Sequence, residues 1–355
     1  IGKKIIKACI RPGTLGLVLL LILIAVMEFL MKTGEGVQRI VDSLRRLVPS
    51  RRLLFVMMPS FWGMLPSPGG ALFSAPYLKE LDPANVITPE HKTFLNYWFR
   101  HVWEYIIPTY PAVILVAVIL NVPYRDVFIA QFPLSISAIL GGFIFGFKGS
   151  NLPSKENIGG KKKPILILLR ELSPILILLF MVLVLKIQLL VGMGVVVFGL
   201  FLVTRPSFKK IPDIIRHSVT LNTTILIFGV ISFQEMLKET GCLSSVSHYF
   251  TAQGMPEYLI FIILPFIVGL LTGASPAMVA ISFPILMNLE FTSHIGMFAM
   301  AYASGFSGVM LSPLHLCFSL TIQYYKSKIS GVYRLMLLPT IIIIITGIIL
   351  GLTGK

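Results

Sequence analysis

Long apolar runs separated by short polar segments make up most of the chain. Crossing the hydrocarbon core of a bilayer takes about 20 apolar residues in a helix. Two runs, 51–80 and 256–288, are too long and too often interrupted by proline and glycine to form one helix. The pattern therefore predicts an all-α, polytopic membrane protein. Its single spanning helices are expected near 13–31, 95–120, 126–147, 164–186, 188–204, 219–237, 296–323 and 331–352.

The two interrupted runs match each other in sequence. "MMPSFWGMLPSPGGALFSAPYL" aligns with "ILPFIVGLLTGASPAMVAISFPIL", so that Pro59 corresponds to Pro265 and Gly63 to Gly269 (265 − 59 and 269 − 63 are both 206). Similar offsets recur at polar positions outside these runs. We therefore predict two repeats, each with a re-entrant helical hairpin and a broken helix. Repeat 1 covers 1–147 with its hairpin at 51–80, a cytoplasmic linker covers 148–163, and repeat 2 covers 164–355 with its hairpin at 256–288.

The repeats also predict how the chain crosses the membrane. "FKKIP" of the second repeat follows two helices, at 164–186 and 188–204, whereas nothing precedes the matching "GKKII" near the first residue. We therefore expect that the first two helices of repeat 1 are missing and that the natural chain begins about 50 residues earlier, a length estimated from the two helices of the second repeat. A complete repeat has five spans, which is an odd number, so the second copy is inverted in the membrane. Inverted repeats with broken segments near the midplane are typical of secondary transporters.

Composition and charge agree with a membrane protein and argue against a nucleic-acid partner. The chain is 55% apolar and 13% charged, with a mean hydropathy of +0.87 and a net charge of +15. Its basic residues cluster in the short segments between apolar runs, where positive charge sets membrane orientation. We therefore expect a multi-pass protein of the cytoplasmic membrane, with cytoplasmic segments at 32–52, 79–95, 148–163, 205–218 and 324–330. Cys9, Cys242 and Cys317 lie far apart, and their spacing predicts neither a disulfide framework nor a metal site.

The interruptions of the two hairpins carry the first candidate site. Non-helical backbone at membrane depth is tolerated only inside protein or beside a wet cavity. A half-helix that begins there directs backbone N–H groups and its positive dipole end at an anion, and the carbonyls that end the preceding half-helix suit Na⁺. A kinked helix or a packing turn is the alternative interpretation. The candidate substrate-binding residues are Ser67, Pro68, Gly69 and Gly70 in the first tip and Gly273, Ala274 and Ser275 in the second.

The helix after each hairpin is also expected to be broken. "IIPTYP" (106–111) contains two prolines, and "ASGFSGVMLSP" (303–313) contains two glycines, three serines and a proline. Both stretches are predicted to line the same cavity as the hairpin tips. They add Thr109, Ser304, Ser307 and Ser312 to the candidate substrate-binding residues.

"NYWFRHVWEY" (96–105) is the densest polar cluster within any predicted span. Arg100 and Glu104 are neighbours at helical spacing, and His101 lies beside them. An arginine binds a carboxylate through two parallel hydrogen bonds, which makes Arg100 a candidate for substrate binding. Glu104 and His101 are candidates for ion coupling, because intramembrane carboxylates and histidines carry protons in transporters. The alternative is a structural ion pair at the cytoplasmic end of the helix, with its charges reaching to water.

An intramembrane enzyme is the alternative class of function. "GFSG" (305–308) is similar to the nucleophile motif of rhomboid intramembrane proteases, which need a histidine base on a later helix. No histidine follows His315, and the pattern places His315 on the same helix as Ser307. Motifs for zinc proteases, phosphate-binding loops and dinucleotide binding are absent from the sequence. We therefore do not expect an enzyme.

The layout of the chain resembles the ion-transporter superfamily of divalent-anion/sodium symporters, citrate transporters and gluconate permeases. More narrowly, "LPSPGGALFSAP" followed by "NYWFRHVWEY" looks like domain-of-unknown-function family 401, an uncharacterised membrane family placed near gluconate permease. The resemblance implies a homodimer that moves its substrate by an elevator mechanism. It implies a transport domain of 51–147 and 256–352 and a scaffold of 13–50 and 164–255. The Ser-Asn-Thr tip signature of the dicarboxylate symporters is replaced here by "SPGG" and "GASP".

Together these patterns predict a secondary active transporter of a small organic anion, a carboxylate, in symport with H⁺ or Na⁺. An ion antiporter and an inorganic-anion carrier are the alternatives within transport. The expected partners are the small anion, the lipid bilayer and a second copy of the chain, with no nucleic acid. No cofactor and no certain metal site are expected apart from the H⁺ or Na⁺ coupling ion.

Overall fold

The computed structural model describes residues 2–32, 36–48, 50–65, 70–148, 164–218, 221–241, 256–287, 289 and 294–354. All regular structure in these residues is helical, as the sequence predicts. The helices are α1 (Gly2–Cys9), α2 (Pro12–Lys32), α3 (Gly36–Leu47), α4 (Arg51–Gly63), α5 (Ala71–Glu80), α6 (Pro89–His101), α7 (Pro111–Leu120), α8 (Tyr124–Gly146), α9 (Pro164–Leu183), α10 (Leu189–Thr204), α11 (Ile211–Ser218), α12 (Leu221–Glu239), α13 (Glu257–Thr272), α14 (Ser275–Leu286), α15 (Ile295–Leu311), α16 (Leu316–Tyr325) and α17 (Ile329–Thr353).

Several helical segments are long and apolar enough to cross a membrane. Within the described part of the chain there are five of them, and shorter apolar helices accompany them. Many of their large apolar side chains are exposed, which suits contact with lipid rather than with water. The prediction of an all-helical fold with helices long and apolar enough to cross a membrane is therefore confirmed. The five segments are Pro12–Lys32, Tyr124–Gly146, Pro164–Leu183, Ile295–Tyr325 and Ile329–Thr353.

The chain forms two compact units. The first consists of residues 1–43, 123–125 and 161–245, and the second of residues 44–122, 126–160 and 246–355. In the first unit α2 packs against α10, α11 and α12, and α1 packs against α12. Ion pairs from Lys4 to Glu239 and from Arg11 to Glu235 join α1 and the segment after it to α12. The predicted roles of scaffold and transport domain stay a prediction.

In the second unit, each of the two interrupted runs forms two helices. Residues 51–80 give α4 and α5, and residues 256–288 give α13 and α14. Gly273 ends α13 with a φ of +61°, and its N–H donates to the carbonyl of Gly269. A glycine in the left-handed region is a common end to a helix, and Pro276 then suits the first turn of α14. The prediction that neither run is one continuous helix is confirmed.

The two runs that follow the hairpins are broken as well. Helix α6 begins earlier than the hydropathy predicts, because Thr88 caps it through the N–H of His91 and Pro89 fills its first position. It ends at His101, and a series of turns leads past Pro108 to Pro111, where α7 begins. Both predicted single spans, 95–120 and 296–323, are therefore pairs of shorter helices, α6 with α7 and α15 with α16.

The break between α15 and α16 does not lie in the glycine-serine stretch. Helix α15 continues to Leu311, and the break covers Ser312 to His315, around Pro313. A Cβ at Gly308 would clash with the backbone oxygen of Phe266 in α13, and a Cβ at Gly269 would clash with that of Gly305. These glycines allow α13 and α15 to approach closely, as small residues do in membrane helices. The break therefore falls at the C-terminal end of the predicted stretch 303–313, around Pro313, and the glycines of this stretch serve helix packing.

Tyrosine hydroxyls satisfy backbone carbonyls near the breaks of the second unit. The last carbonyls of a helix have no partner within the helix, and leaving them unpaired in an apolar environment costs several kcal/mol. Five tyrosines donate to backbone carbonyls over 2.5–3.0 Å, and three of these carbonyls, those of Gly63, Met310 and Leu311, belong to the last turn of a helix. Burying the breaks among these donors makes them tolerable in a membrane. The pairs are Tyr97 with Met310, Tyr110 with Gly63, Tyr302 with Glu104, Tyr325 with Ala75 and Tyr333 with Leu311.

Candidate functional site

Arg100 and Glu104 form a buried ion pair at the break between α6 and α7. Nη1 of Arg100 lies 3.5 Å from Oε1 of Glu104, and the two side chains are 2% and 8% exposed. Arg100 lies in the last turn of α6, where the negative end of the helix dipole favours a cation. The alternative interpretation, a pair that reaches water from the cytoplasmic end of the helix, is therefore wrong. Because α6 begins at Pro89, the cluster lies at the C-terminal end of α6, beside the break that leads to α7, and not at the start of a helix.

A hydrogen-bonded chain connects Arg100 to the first hairpin. Nη1 of Arg100 donates to the hydroxyl of Tyr110 over 2.8 Å, and this hydroxyl donates to the carbonyl of Gly63 over 2.5 Å. Gly63 is the last residue of α4, and a Cβ there would clash with the backbone oxygen of Arg100. The close crossing of α4 and α6 therefore holds the arginine at the end of the first half-helix of the hairpin.

The second hairpin reaches the same ion pair. Ser275, the first residue of α14, donates its hydroxyl to Oε2 of Glu104 over 3.4 Å. The carboxylate of Glu104 therefore lies at the positive end of a half-helix, which stabilises a negative charge. Of the predicted second tip, Ser275 makes this contact and Gly273 provides the turn that aims α14 at it.

A cluster of two histidines and a cysteine lies beside this pair. Nε2 of His101 is 3.1 Å from Nε2 of His315 and 3.7 Å from Oε1 of Glu104. The two histidine nitrogens and Sγ of Cys317 all lie within 4.8 Å of one another. Nδ1 of His101 contacts the carbonyl of Tyr97 at 2.5 Å, and Nδ1 of His315 contacts that of Gly273 at 2.7 Å. These three residue types and this spacing could hold a metal ion.

Sequence reasoning assigned Cys317 no role and did not anticipate this cluster. His315 and Cys317 are two positions apart, but His101 belongs to another helix more than two hundred residues away. The sequence signal that could have indicated the cluster is "HLC" (315–317), which closely follows Pro313. Tyr97 holds the two rings together, since its own ring lies 4.6 Å from that of His101 and 5.6 Å from that of His315.

Thr109 is a buried hydroxyl within the break between α6 and α7. It is 0% exposed, and its Oγ1 has no hydrogen-bond partner in the part of the chain that the structure describes. An unsatisfied buried hydroxyl costs about 1–3 kcal/mol, which a bound polar group would recover. A small cavity with room for about one water molecule adjoins the cluster. Its lining is apolar and aromatic apart from His101, and consists of Trp98, His101, Val102, Tyr105, Ala138, Phe306 and Met310.

The remaining predicted site residues fall elsewhere. Ser67, Pro68 and Gly69 lie outside the described residues, and Gly70 immediately precedes α5. Ser304 and Ser307 are buried within the continuous helix α15, where they donate to the carbonyls of Ile262 and Ala303. Three predicted residues near the second hairpin thus contact backbone instead of the ion pair: Ser304, Ser307 and Ser312, which donates to the carbonyl of Leu270.

A second buried ion pair fixes the loop that leads into α6. Asp82 accepts hydrogen bonds from the N–H groups of Val86 and Ile87 and lies 2.8 Å from Nζ of Lys92. Burial raises the pKa of Asp82, but the hydrogen bonds from Lys92 and the two N–H groups outweigh burial and hold this pKa below its ordinary value. Because Lys92 is in α6, the pair helps to position the helix that carries Arg100.

Comparison with known proteins places the chain in a family without assigning an activity. A search of curated proteins found no match. The family model described as "Protein of unknown function (DUF401)" matches residues 4–353, which is nearly the whole chain. The narrower of the two resemblances is therefore confirmed, whereas membership of the wider ion-transporter superfamily stays a prediction. The chain belongs to the family of proteins of unknown function DUF401.

Proposed function

We propose that the protein is a secondary active transporter of a small organic anion, a carboxylate, coupled to H⁺ or Na⁺ and located in the cytoplasmic membrane. The observation that carries the proposal is the meeting of helix breaks at one buried ion pair. Arg100 and Glu104 occupy the break between α6 and α7, Ser275 begins α14, and His315 precedes α16. Breaks of this kind at membrane depth form substrate and ion sites in secondary transporters.

Charge balance explains how two solutes would be coupled at this pair. In the structure the positive charge of Arg100 is offset by Glu104 at 3.5 Å. A cation that neutralises Glu104, whether H⁺ or Na⁺, would leave the guanidinium without its counter-charge in a dry environment, which is costly. A substrate carboxylate would then supply the missing negative charge and bind in the fork geometry that arginine favours. Anion and cation therefore bind more tightly together than separately, which is the requirement for symport.

Paired contacts support the proposal that the two halves are inverted repeats. Gly63 of α4 crosses α6 so closely that a Cβ would clash with the oxygen of Arg100. Its sequence equivalent, Gly269 of α13, crosses α15 in the same way at the oxygen of Gly305. Pro59 and Pro265, which also correspond, lie inside α4 and α13. One crossing geometry thus recurs at equivalent positions in both hairpins.

We also propose that the protein is a homodimer and moves its substrate by an elevator mechanism. An elevator needs one part of the chain to carry the site and another to stay fixed in the membrane. The second compact unit contains every residue of the buried cluster, and it includes 51–122 and 256–352 of the transport domain that the resemblance implies. The first unit includes 13–43 and 164–245 of the implied scaffold. This division supports the assignment of moving and fixed parts.

Uptake by purified protein in liposomes would test the proposal. Labelled mono- and dicarboxylates would be offered under an imposed pH gradient, an imposed Na⁺ gradient and no gradient. We expect uptake of at least one carboxylate that depends on one gradient and is weakened by Arg100→Lys, because a point charge replaces a planar fork. Arg125→Lys is the matched control, since Arg125 lies outside the cluster near the start of α8.

Three results would contradict the proposal. Folded protein without gradient-dependent uptake of any carboxylate would refute carboxylate symport. Exchange of inorganic ions without carboxylate uptake would favour an ion antiporter or an inorganic-anion carrier. Equal weakening by the variants of Arg100 and Arg125 would remove Arg100 from the site.

A further inference from the structure

We propose that His101, His315 and Cys317 bind a Zn²⁺ ion that joins the end of α6 to the break before α16. The proposal does not rest on the proposed transport. It assigns His101, and Glu104 as the fourth ligand, to a metal ion instead of to the coupling ion. Its basis is the position of three donor atoms, the orientation of both histidine rings and the open side beside His315.

The donor atoms have the spacing of a tetrahedral metal site. Zinc binds histidine nitrogen at about 2.0–2.1 Å, so two nitrogens on one tetrahedral ion lie about 3.4 Å apart. The Nε2 atoms of His101 and His315 are 3.1 Å apart, and Sγ of Cys317 completes a group that lies within 4.8 Å. Sulfur and imidazole donors favour Zn²⁺, whereas Na⁺, Mg²⁺ and Ca²⁺ favour oxygen donors.

Both rings are oriented as metal ligands usually are. A backbone carbonyl only accepts hydrogen bonds, so Nδ1 of each ring must carry the hydrogen that Tyr97 or Gly273 accepts. The neutral rings therefore direct the lone pairs of their Nε2 atoms at each other across 3.1 Å. Two such lone pairs repel unless a proton or a metal ion lies between them. Ligating histidines commonly donate their other N–H to a backbone carbonyl, which is the arrangement found at both rings.

Glu104 is the candidate for the fourth ligand. Its Oε1 lies 3.7 Å from Nε2 of His101, close to the separation of about 3.4 Å between two ligands of one tetrahedral ion. Metal binding would convert the Cys317 thiol to a thiolate and release its proton to solvent. With the thiolate, the carboxylate and Arg100, the charge of the site then sums to +1. A metal ion would therefore leave the site net positive.

The site is not enclosed on every side. His315 is only half-buried, and its neighbours Leu314 and Leu316 are 67% and 52% exposed. The site therefore has one side at the surface of its compact unit, beside His315, whereas His101 and Cys317 are buried.

Metal content of the full-length protein in detergent is the first test. We would measure bound zinc by elemental analysis after zinc loading and removal of free metal. We expect about one zinc per chain, and a loss of affinity of about tenfold or more in Cys317→Ser and in His315→Gln, since even outer-shell changes cost that much. The matched controls are Cys9→Ser, a half-buried free cysteine of the first unit, and His91→Gln, a half-buried histidine near the start of α6. Both controls should keep the wild-type zinc content.

Cobalt spectroscopy of the unmodified protein is the second test, and it does not require any variant to fold. Co²⁺ bound by two imidazoles and a thiolate shows intense visible bands of tetrahedral geometry and a thiolate-to-cobalt charge-transfer band. We expect both features, their loss in Cys317→Ser and their displacement by Zn²⁺. Absence of bound zinc after loading, a weak octahedral cobalt spectrum, or equal metal content in Cys317→Ser and Cys9→Ser would overturn the proposal.

Discussion

A double-mutant cycle on Arg100 and Glu104 distinguishes a buried functional pair from a structural one. The two side chains are 2% and 8% exposed, and the charged atoms are 3.5 Å apart. With an effective dielectric constant of about 20, two unit charges at this distance attract each other by about 5 kcal/mol. Removing one partner of a buried pair leaves the other charge uncompensated and costs about 3–5 kcal/mol. Arg100→Met and Glu104→Leu should therefore each lower the free energy of unfolding by about 3–5 kcal/mol.

The double variant should recover much of this loss, because it leaves neither charge buried alone. We expect a coupling free energy of about 3–5 kcal/mol between the two positions. The assay is reversible unfolding in mixed micelles, with carboxylate uptake measured on the same four proteins. Arg45 and Glu80, an ion pair of the same unit whose glutamate side chain is 58% exposed, provide the control cycle. Their coupling should be about 0–1 kcal/mol.

Stability and uptake must be compared within this cycle. If the pair binds substrate and coupling ion, the double variant regains stability without regaining uptake. If stability and uptake return together, the pair only holds the fold and the assignment of Arg100 and Glu104 to a site is wrong. Single variants that each lower the free energy of unfolding by less than about 1 kcal/mol would refute the expected loss of about 3–5 kcal/mol, because removing one charge of a buried pair leaves the other uncompensated.

The other structural contacts lead to further expectations. Asp82→Asn should lower the free energy of unfolding by about 3–5 kcal/mol because Lys92 keeps its buried charge. It should also make this free energy depend less on pH. The pKa of Asp82 is held below its ordinary value of 3.8. The stabilisation by ionised Asp82 is therefore complete above pH 3.8 and is lost as the pH falls below 3.8. Melting temperatures of the wild type and the variant between pH 3 and 7 check the loss of stability and its pH dependence. Gly308→Ala should cost about 1–3 kcal/mol because its Cβ meets the backbone oxygen of Phe266, whereas Gly199→Ala, with open space, should be neutral or slightly stabilising in the same unfolding assay. Tyr97→Phe should cost about 1–3 kcal/mol by leaving the carbonyl of Met310 unpaired; the exposed Tyr258→Phe should stay within about 0.5 kcal/mol, and equal effects of the two would contradict this role.

The features that sequence reasoning predicted correctly are local in the chain. Proline and glycine interrupt helices through their own backbone, so the breaks at Pro108, Gly273 and Pro313 follow from the residues themselves. The pairing of Arg100 with Glu104 is equally local, since four residues of spacing bring the two side chains together. Their burial was harder to anticipate, because it depends on where α6 begins and on the tyrosines that surround its end.

The position of the break within 303–313 could not be predicted, because sequence features of this stretch fit two structures equally well. Glycine and serine in "ASGFSG" suit a broken helix beside a cavity, and they suit a tight helix crossing just as well. The structure contains the crossing, in which Gly305 and Gly308 face α13 and Ser307 donates to its own helix. Only the partner helix distinguishes these two uses, and the partner is not encoded near the motif.

The candidate metal site could not be predicted from the sequence either, because its ligands come from distant segments of the chain. Cysteine and histidine spacing along the chain identifies metal sites when all ligands come from one local segment. Here one ligand ends α6 and two surround the start of α16, so no spacing rule connects them. What brings them together are the breaks that end α6 and precede α16, and the carbonyls of Tyr97 in the last turns of α6 and of Gly273 in the second hairpin accept the Nδ1 hydrogens of the two histidines. The same backbone interruptions that need extra hydrogen-bond donors in a membrane therefore also orient the donor atoms of a site, which is a physical reason for a chain to keep them.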